Sequence, residues 1–174
     1  MHNGQTADPL NRYSKALKVI SGKRGKTDAD FEEMAKIEWY ASLYVSDGKI
    51  VIPDTVLEAT FLAGARKSKL GKQAEAGLFV NGHATLAFDG DDLSIDELFE
   101  RDENRHCCAV RVQRNKVMRT RSIFKNWATV VDIRFDDNLL NESQVVRAAE
   151  DAGQQAGLCD WRPKFGRFEI TSGI

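Results

Sequence analysis

The segment from Trp161 to Arg167 alternates aromatic and cationic side chains, a composition that could bind a nucleic-acid strand. Its residues are Trp161, Arg162, Pro163, Lys164, Phe165, Gly166 and Arg167. Aromatic rings stack on bases, and cations beside them neutralise phosphates. In the alternative interpretation, Trp161 and Phe165 cap the hydrophobic core and Gly166 supplies a turn. The composition alone favours neither.

Three further stretches, residues 12–26, 66–72 and 111–125, are rich in Lys and Arg and contain no carboxylate. Together with residues 162–167 they hold 19 of the 25 cations within 43 residues. Clustered cations attract the phosphate backbone, even though the net charge of the chain is only −1. The alternative is four separately solvated segments that face different directions. The residues that we predict to contact nucleic acid are Lys23, Arg24, Lys26, Arg66, Lys67, Lys69, Lys72, Arg114, Lys116, Arg119, Arg121, Lys125, Trp161, Arg162, Lys164, Phe165 and Arg167.

The acids are also segregated, with eight carboxylates between Asp89 and Glu103. The loop Asp89-Gly90-Asp91-Asp92 could hold a divalent cation, since hard cations prefer several oxygen ligands. It lacks the spacing of an EF-hand loop, which favours a solvated turn. We therefore predict no metal site.

The cysteine and histidine pattern indicates no cofactor and no catalytic residue. Cys107 and Cys108 are adjacent, which is a poor arrangement for disulfides, and we expect free, buried thiols. His106 and Cys108 would share one face of a strand, but no second pair of ligands completes a zinc site. No nucleophile stands at a recognisable spacing from a base, and no phosphate-binding glycine loop is present.

The composition is that of an ordinary globular protein, with 42% hydrophobic and 29% charged residues among 174. No apolar run approaches the roughly 18 residues that span a bilayer, and the polar start has no hydrophobic leader. We expect a cytoplasmic protein without a membrane partner.

The elements that would carry the basic stretches follow from periodicity and turn residues. We predict a mobile basic N-terminal arm and a short helix in residues 1–38, followed by one domain over residues 39–174. Predicted strands cover residues 39–46 and 49–52, joined by a turn at Asp47-Gly48. A helix then begins at Pro53-Asp54 and ends in the basic residues 66–72.

Residues 77–88 predict a hairpin around Asn81-Gly82, and a short helix follows at 94–100. Residues 106–114 alternate as a strand that returns after Asn115-Lys116, so that a basic β-hairpin projects from the domain. Alternation in its second strand places Arg119 and Arg121 on one side and Met118 and Thr120 on the other. A strand over 127–135, a helix and a strand over 165–171 complete the chain. The helix begins at a capping-box-like pair, Asn141 with Gln144 three residues on, and stops at Gly157. The pattern predicts an α+β fold with a split βαβ core.

Residues 52–66, from Ile52-Pro53-Asp54 to Gly64-Ala65-Arg66, and residues 157–168, between the last predicted helix and strand, form a recognisable pair of motifs. They resemble the first strand exit and helix and the glycine-rich loop of the RAMP superfamily, the RNA-binding subunits of CRISPR effector complexes. The chain also resembles a group of phage and prophage proteins that share this closing motif. Here the loop has two glycines where the family often has more.

The resemblance implies a ferredoxin-like, RRM-like core with an inserted basic β-hairpin, binding of single-stranded RNA or DNA, and a capacity to form homo-oligomers along the strand. It does not imply nuclease activity, because His2, His83 and His106 match no catalytic position of the processing members. The leading hypothesis is a non-catalytic single-stranded nucleic-acid-binding protein of phage origin. The alternative is a phage interaction protein that mimics or inhibits a host CRISPR effector subunit through its acidic segment, and a ribonuclease is a third hypothesis.

Overall fold

The computed structural model describes residues 1, 3–159 and 161–171, and these form an α+β fold. The helices are α1 (Arg12–Ser21), α2 (Asp28–Ser42), α3 (Asp54–Lys67), α4 (Gly71–Gly77), α5 (Ile95–Glu100) and α6 (Glu142–Asp151). The strands are β1 (Val45–Ser46), β2 (Lys49–Ile52), β3 (Leu78–Val80), β4 (Ala84–Thr85), β5 (Arg105–Val112), β6 (Asn115–Ser122) and β7 (Ile133–Phe135). A π-helical segment, Ala152–Ala156, follows α6.

The chain forms two compact units, each built from two separate stretches of sequence. Unit 1 consists of Met1–Ile50 and Ala87–Ala128, and unit 2 consists of Val51–Leu86 and Thr129–Ile174. The predicted division after residue 38 falls inside α2.

Unit 1 is organised around α2, which begins at a capping box formed by Thr27 and Asp30. Trp39 of this helix is fully buried, and its indole N–H donates to the Asn104 carbonyl at 2.8 Å. Its ring meets Phe99 edge-on at 5.4 Å between centroids. These contacts anchor the helix to the segment that leads into β5.

The hairpin of β5 and β6 has a continuous antiparallel register from Arg105↔Ser122 to Val112↔Asn115. Side chains of α2 accept hydrogen bonds from the outer edge of β6: the Thr120 N–H donates to Glu38 Oε2 and the Ser122 N–H donates to Ser42 Oγ, both at 2.9 Å. Four residues of helix and two residues of strand both rise about 6–7 Å. The spacing of Glu38 and Ser42 along the helix therefore matches the spacing of Thr120 and Ser122 along the strand, and the helix caps this strand edge.

Unit 2 is organised around the packing of α3 on α6. The helices approach so closely at Gly64 that a Cβ there would lie 2.0 Å from the Ala148 carbonyl oxygen. Strand β3 pairs antiparallel with β7, and the Val80 N–H donates to Glu58 Oε1 of α3 at 2.9 Å. A helical glutamate thus caps a strand edge in this unit as well.

Several sequence predictions are confirmed at the level of elements. The Asp47-Gly48 turn connects β1 and β2 with φ values of 50° and 75°. Helices α3 and α5, the basic hairpin of β5 and β6, and the capping box of Asn141 with Gln144 are all present. Each of these rests on a local pattern of capping, turn or alternating residues.

Other element predictions are wrong. Residues 39–42 belong to α2, because burial of Trp39 outweighs the strand propensity of the aromatic residues, and residues 12–21 of the predicted arm form α1. Residues 77–88 form no hairpin, since β3 pairs with β7 and β4 pairs with β2. The predicted strand 127–135 is reduced to β7 and a bridge at Ala128. Residues 165–171 make no strand pairing in the part of the chain that the structure describes.

Candidate nucleic-acid interface

The segment Trp161–Arg167, which we call the aromatic loop, is held in a closed turn by backbone hydrogen bonds. The Leu158 N–H donates to the Gly166 carbonyl at 2.7 Å, and the Phe165 N–H donates to the Trp161 carbonyl at 2.9 Å. Gly166 has φ +77°, and a Cβ there would lie 2.2 Å from the Leu158 carbonyl oxygen. Only glycine combines this backbone conformation with so close an approach.

The side chains of the aromatic loop form a compact aromatic and cationic surface. The rings of Trp161 and Phe165 pack with centroids 5.5 Å apart, and Trp161 remains 46% exposed. Lys164 Nζ lies over both rings, at 5.6 Å from the Trp161 centroid and 5.7 Å from that of Phe165. Arg167 donates from Nε to the Pro163 carbonyl at 2.9 Å, and Arg162 is exposed. A base could stack on the exposed part of Trp161 while these cations contact its phosphates.

The second basic stretch lies at the C-terminal end of α3, and we call it the α3 basic end. Its exposed cations are Arg66, Lys67, Lys69 and Lys72, and none of them forms an ion pair with another described residue. Lys69 adopts φ +63° and so ends the helix before α4 begins. Cations here also interact favourably with the helix dipole.

The aromatic loop and the α3 basic end flank the same helical segment of unit 2. Gly64 of α3 lies against Ala152, where a Cβ would be 2.6 Å from the Ala152 nitrogen. The next residue, Gly153, accepts a hydrogen bond from the Phe168 N–H at 3.4 Å. The π-helical segment thus fixes both basic groups to one scaffold.

The cations of the β-hairpin divide into two groups. Arg119 pairs with Glu38 at 2.5 Å, and Arg121 donates to the Thr120 carbonyl at 3.1 Å, so both contribute to the fold of unit 1. At the far end, Arg111 and Lys116 face each other across the strands and are exposed, as is Arg114 in the turn. We call these three residues the hairpin tip. Like charges in directly opposite positions repel, so an anion bound there would relieve the repulsion.

The site residues predicted from the sequence do not include Arg111, although it belongs to the basic stretch 111–125. The predicted turn at Asn115-Lys116 is wrong, because the strands pair up to Val112↔Asn115 and the turn lies at Gln113-Arg114. With the observed register, Arg111 faces Lys116 directly. Lys125, which follows the hairpin, is exposed.

The cations between α1 and α2 are partly neutralised. Lys23 Nζ pairs with Asp30 Oδ1 at 2.5 Å, and Lys26 Nζ donates to the Lys23 carbonyl at 3.1 Å. The hydrogen bond from Lys23, helped by those from Thr27, lowers the pKa of Asp30 to about 2. Arg24 is exposed. The acid that binds Lys23 lies just beyond the acid-free window seen in the sequence.

Hydrogen bonds and ion pairs with Arg101 and Tyr40 hold the acidic segment in place. Arg101 pairs with Asp89 at 3.1 Å and also with Glu103, and these contacts, chiefly that with Glu103, raise its pKa. Tyr40 donates its hydroxyl hydrogen bond to Asp96, and burial with this bond raises the pKa of Tyr40. Among the described residues, no three His, Cys, Asp or Glu side chains are grouped as a metal site.

The three cysteines form no disulfide among the described residues, but their expected burial is wrong, since Cys107 is exposed and Cys108 and Cys159 are half-buried. Cys107 lies on β5, which pairs only with β6 among the described strands. His106 and Cys108 share a face of β5, as expected. His83 Nδ1 lies 3.9 Å from Asp54 Oδ1 at an exposed position, and His2 lies outside the described residues.

Comparison of the chain with protein-family models, with curated proteins and with solved structures finds no match. Within the described residues, no helix is both long enough and apolar enough to cross a bilayer.

Proposed function

We propose that this chain is a non-catalytic, RAMP-like protein of phage origin that binds single-stranded nucleic acid, with the aromatic loop as its main contact. The observation that carries the proposal is the exposed Trp161 ring packed beside Phe165, with Lys164 over both rings. Base stacking on such a ring contributes about 1–3 kcal/mol per base. Arg162 and Arg167 are close in sequence and exposed, which suits phosphates on either side of the base.

The ferredoxin-like part of this proposal is supported by the order of elements in unit 2. Strand β2 leads into α3 and β3, and β7 leads into α6, which is the sequence of a split βαβ arrangement. Strands β3 and β7 pair antiparallel, and α3 packs on α6, as the second and third strands and the two helices of such a core do. The basic hairpin lies in the insertion between β3 and β7.

The α3 basic end, which belongs to the same unit as the aromatic loop, supplies further exposed cations for a strand longer than one or two nucleotides. Its cations have no acidic partner among the described residues, whereas Arg119 of the hairpin has one. We therefore expect Arg66, Lys67 and Lys69 to affect affinity through phosphate contacts and Arg119 to affect it only through folding.

Fluorescence anisotropy with labelled single-stranded RNA and DNA at two salt concentrations tests the proposal. We expect affinity to fall steeply with salt, and Trp161→Ala to weaken binding about 5- to 150-fold while Trp161→Phe retains most of it. Phe31→Ala is the matched control, because Phe31 is also an exposed aromatic residue, 56% accessible, but stands among acids. Absence of binding at low salt, or equal affinities of Trp161→Ala and Phe31→Ala, would overturn the proposal.

A second candidate is an interaction protein that blocks or mimics a subunit of a host CRISPR complex. The exposure of the acidic segment favours it, since the Asp89 and Asp102 side chains are 82% and 94% accessible. Such a surface would dock on a basic protein partner. Co-purification with host effector subunits after nuclease treatment would favour this candidate over nucleic-acid binding.

A further inference from the structure

The outer edge of β5 is the longest strand edge of the described chain that no other group covers. Glu38 and Ser42 cap the edge of β6, and Glu58 caps β3. Strand β5 has eight residues, pairs only with β6 among the described strands, and carries no proline, lysine or bulge. These are the devices that usually prevent a strand edge from pairing with another chain.

The register identifies which backbone groups of β5 point outwards. The N–H groups of Thr120 and Ser122 donate to side chains of α2 and therefore point away from β5. The pairs Thr120–Cys107 and Ser122–Arg105 are thus non-hydrogen-bonded pairs of the β5–β6 ladder. By alternation, Ala109 and Arg111 also direct their N–H and C=O groups away from β6. Cys107, Ala109 and Arg111 are exposed, and no described backbone group bonds to their N–H groups.

We propose that a second copy of this chain pairs with this edge, so that two β5 strands join antiparallel about a two-fold axis and form a four-stranded sheet. Such an interface is isologous, because the same edge serves both copies. The charges at the two ends of the strand support this partner. Asp102 and Glu103 precede β5, and Arg111 and Arg114 lie at its far end. Antiparallel pairing sets the acidic end of each copy beside the basic end of the other.

Two registers use seven residues of each strand and match the outward-pointing groups. One places Cys108 on the two-fold axis and sets Arg105 opposite the partner's Arg111, which is unfavourable because like charges repel. The other places Ala109 on the axis and sets Cys107 opposite the partner's Arg111. Charge therefore selects the Ala109-centred register.

The Ala109-centred register also covers apolar side chains that the single chain leaves exposed. Met118, which is 59% accessible, lies beside Ala109 on the same face of the hairpin. Pairing forms a row in which two alanines stand between two methionines. Val112, which is 45% accessible, comes to lie opposite the partner's His106.

Disulfide trapping tests the register in a Cys107→Ser, Cys108→Ser, Cys159→Ser background, without nucleic acid. Ala109→Cys should form a covalent dimer under mild oxidation, because opposed residues in a hydrogen-bonded antiparallel pair are about 5.5 Å apart between Cα atoms, within disulfide range. Met118→Cys is the matched control on the same face, and its two copies would be about 14 Å apart across three strand spacings. Equal cross-linking of the two variants would overturn the proposed register.

Sedimentation velocity of the native chain tests the interface itself. We expect a concentration-dependent species of twice the 19.5 kDa chain mass. Ala109→Pro should give the monomer, since it removes an outward donor and leaves the β5–β6 ladder intact. Circular dichroism checks that the variant is folded, and Ala109→Lys, which places like charges at the axis, provides a second disruption. A native chain that stays monomeric at all concentrations would refute the dimer and leave nucleic-acid binding by the aromatic loop unaffected.

Discussion

Replacing Glu38 by Ala should detach the hairpin from α2 and lower the stability of unit 1. Glu38 is 4% exposed, accepts the Thr120 N–H at 2.9 Å and faces Arg119 at 2.5 Å. Loss of the acceptor leaves a buried N–H unpaired, which costs about 1–3 kcal/mol. Loss of the ion pair adds about 1 kcal/mol, because the Arg119 side chain is 34% exposed and water screens its charge.

The sum, about 3 kcal/mol, corresponds to a melting temperature lower by about 6–12 °C for a chain of this length. Glu38→Gln keeps an oxygen for the Thr120 N–H and should cost about 1–2 kcal/mol. Glu33→Ala, at an exposed position of the same helix, is the control and should change stability by less than about 0.5 kcal/mol. Thermal unfolding followed by circular dichroism measures all three. Equal melting temperatures for Glu38→Ala and Glu33→Ala would refute the reasoning.

Three further predictions concern separate parts of the chain. Hydrogen bonds from Lys23 and Thr27 lower the pKa of Asp30 from 3.8 to about 2, so its carboxylate stabilises the fold above pH 3.8 and this contribution disappears as the pH falls through 2. Asp30→Asn should therefore reduce the loss of stability between about pH 4 and pH 2, measured by urea unfolding at a series of pH values. An unchanged loss of stability in this pH range would show that Asp30 does not cause it. Gly64→Ala should destabilise unit 2 by more than about 2 kcal/mol, because its Cβ would meet backbone at 2.0 Å, whereas Gly4→Ala, with nothing within 4 Å, should be neutral in the same melts. Gly166→Ala should weaken strand binding in anisotropy more than Gly25→Ala, since both positions have positive φ but only Gly166 lies against backbone; equal losses would argue against a role for the loop geometry.

Elements that depend on neighbouring residues were predictable from the sequence. The Asp47-Gly48 turn requires positive φ at both residues, and the capping boxes at Ser94 and Asn141 need an acceptor three residues on. The alternation of the hairpin placed Arg119 and Arg121 on one face, as the register has them. In these cases the energetic preference lies within a few residues of chain.

Features set by distant partners were not predictable. The aromatic residues after Ile37 have strand propensity, but Trp39 hydrogen-bonds to Asn104, 65 positions away, and the chain remains helical. The acid-free window 111–125 indicated unpaired cations, yet Glu38, 81 positions earlier, neutralises Arg119. A count of charges within a short stretch of sequence does not detect an acid that is distant in sequence but close in the folded chain. The aromatic loop is different, because its cations and rings are neighbours in sequence and in space.

The interleaved composition of the two units has a consequence for synthesis. The ribosome makes the first stretch of unit 1, then the first stretch of unit 2, and only later the second stretch of each. Helix α2 therefore leaves the ribosome about 80 residues before the strand that Glu38 and Ser42 cap. During that interval α2 lacks both the apolar residues that it packs against and the strand N–H groups that donate to Glu38 and Ser42. Both units of the nascent chain are then incomplete. Neither unit can fold fully before its second stretch has been synthesised.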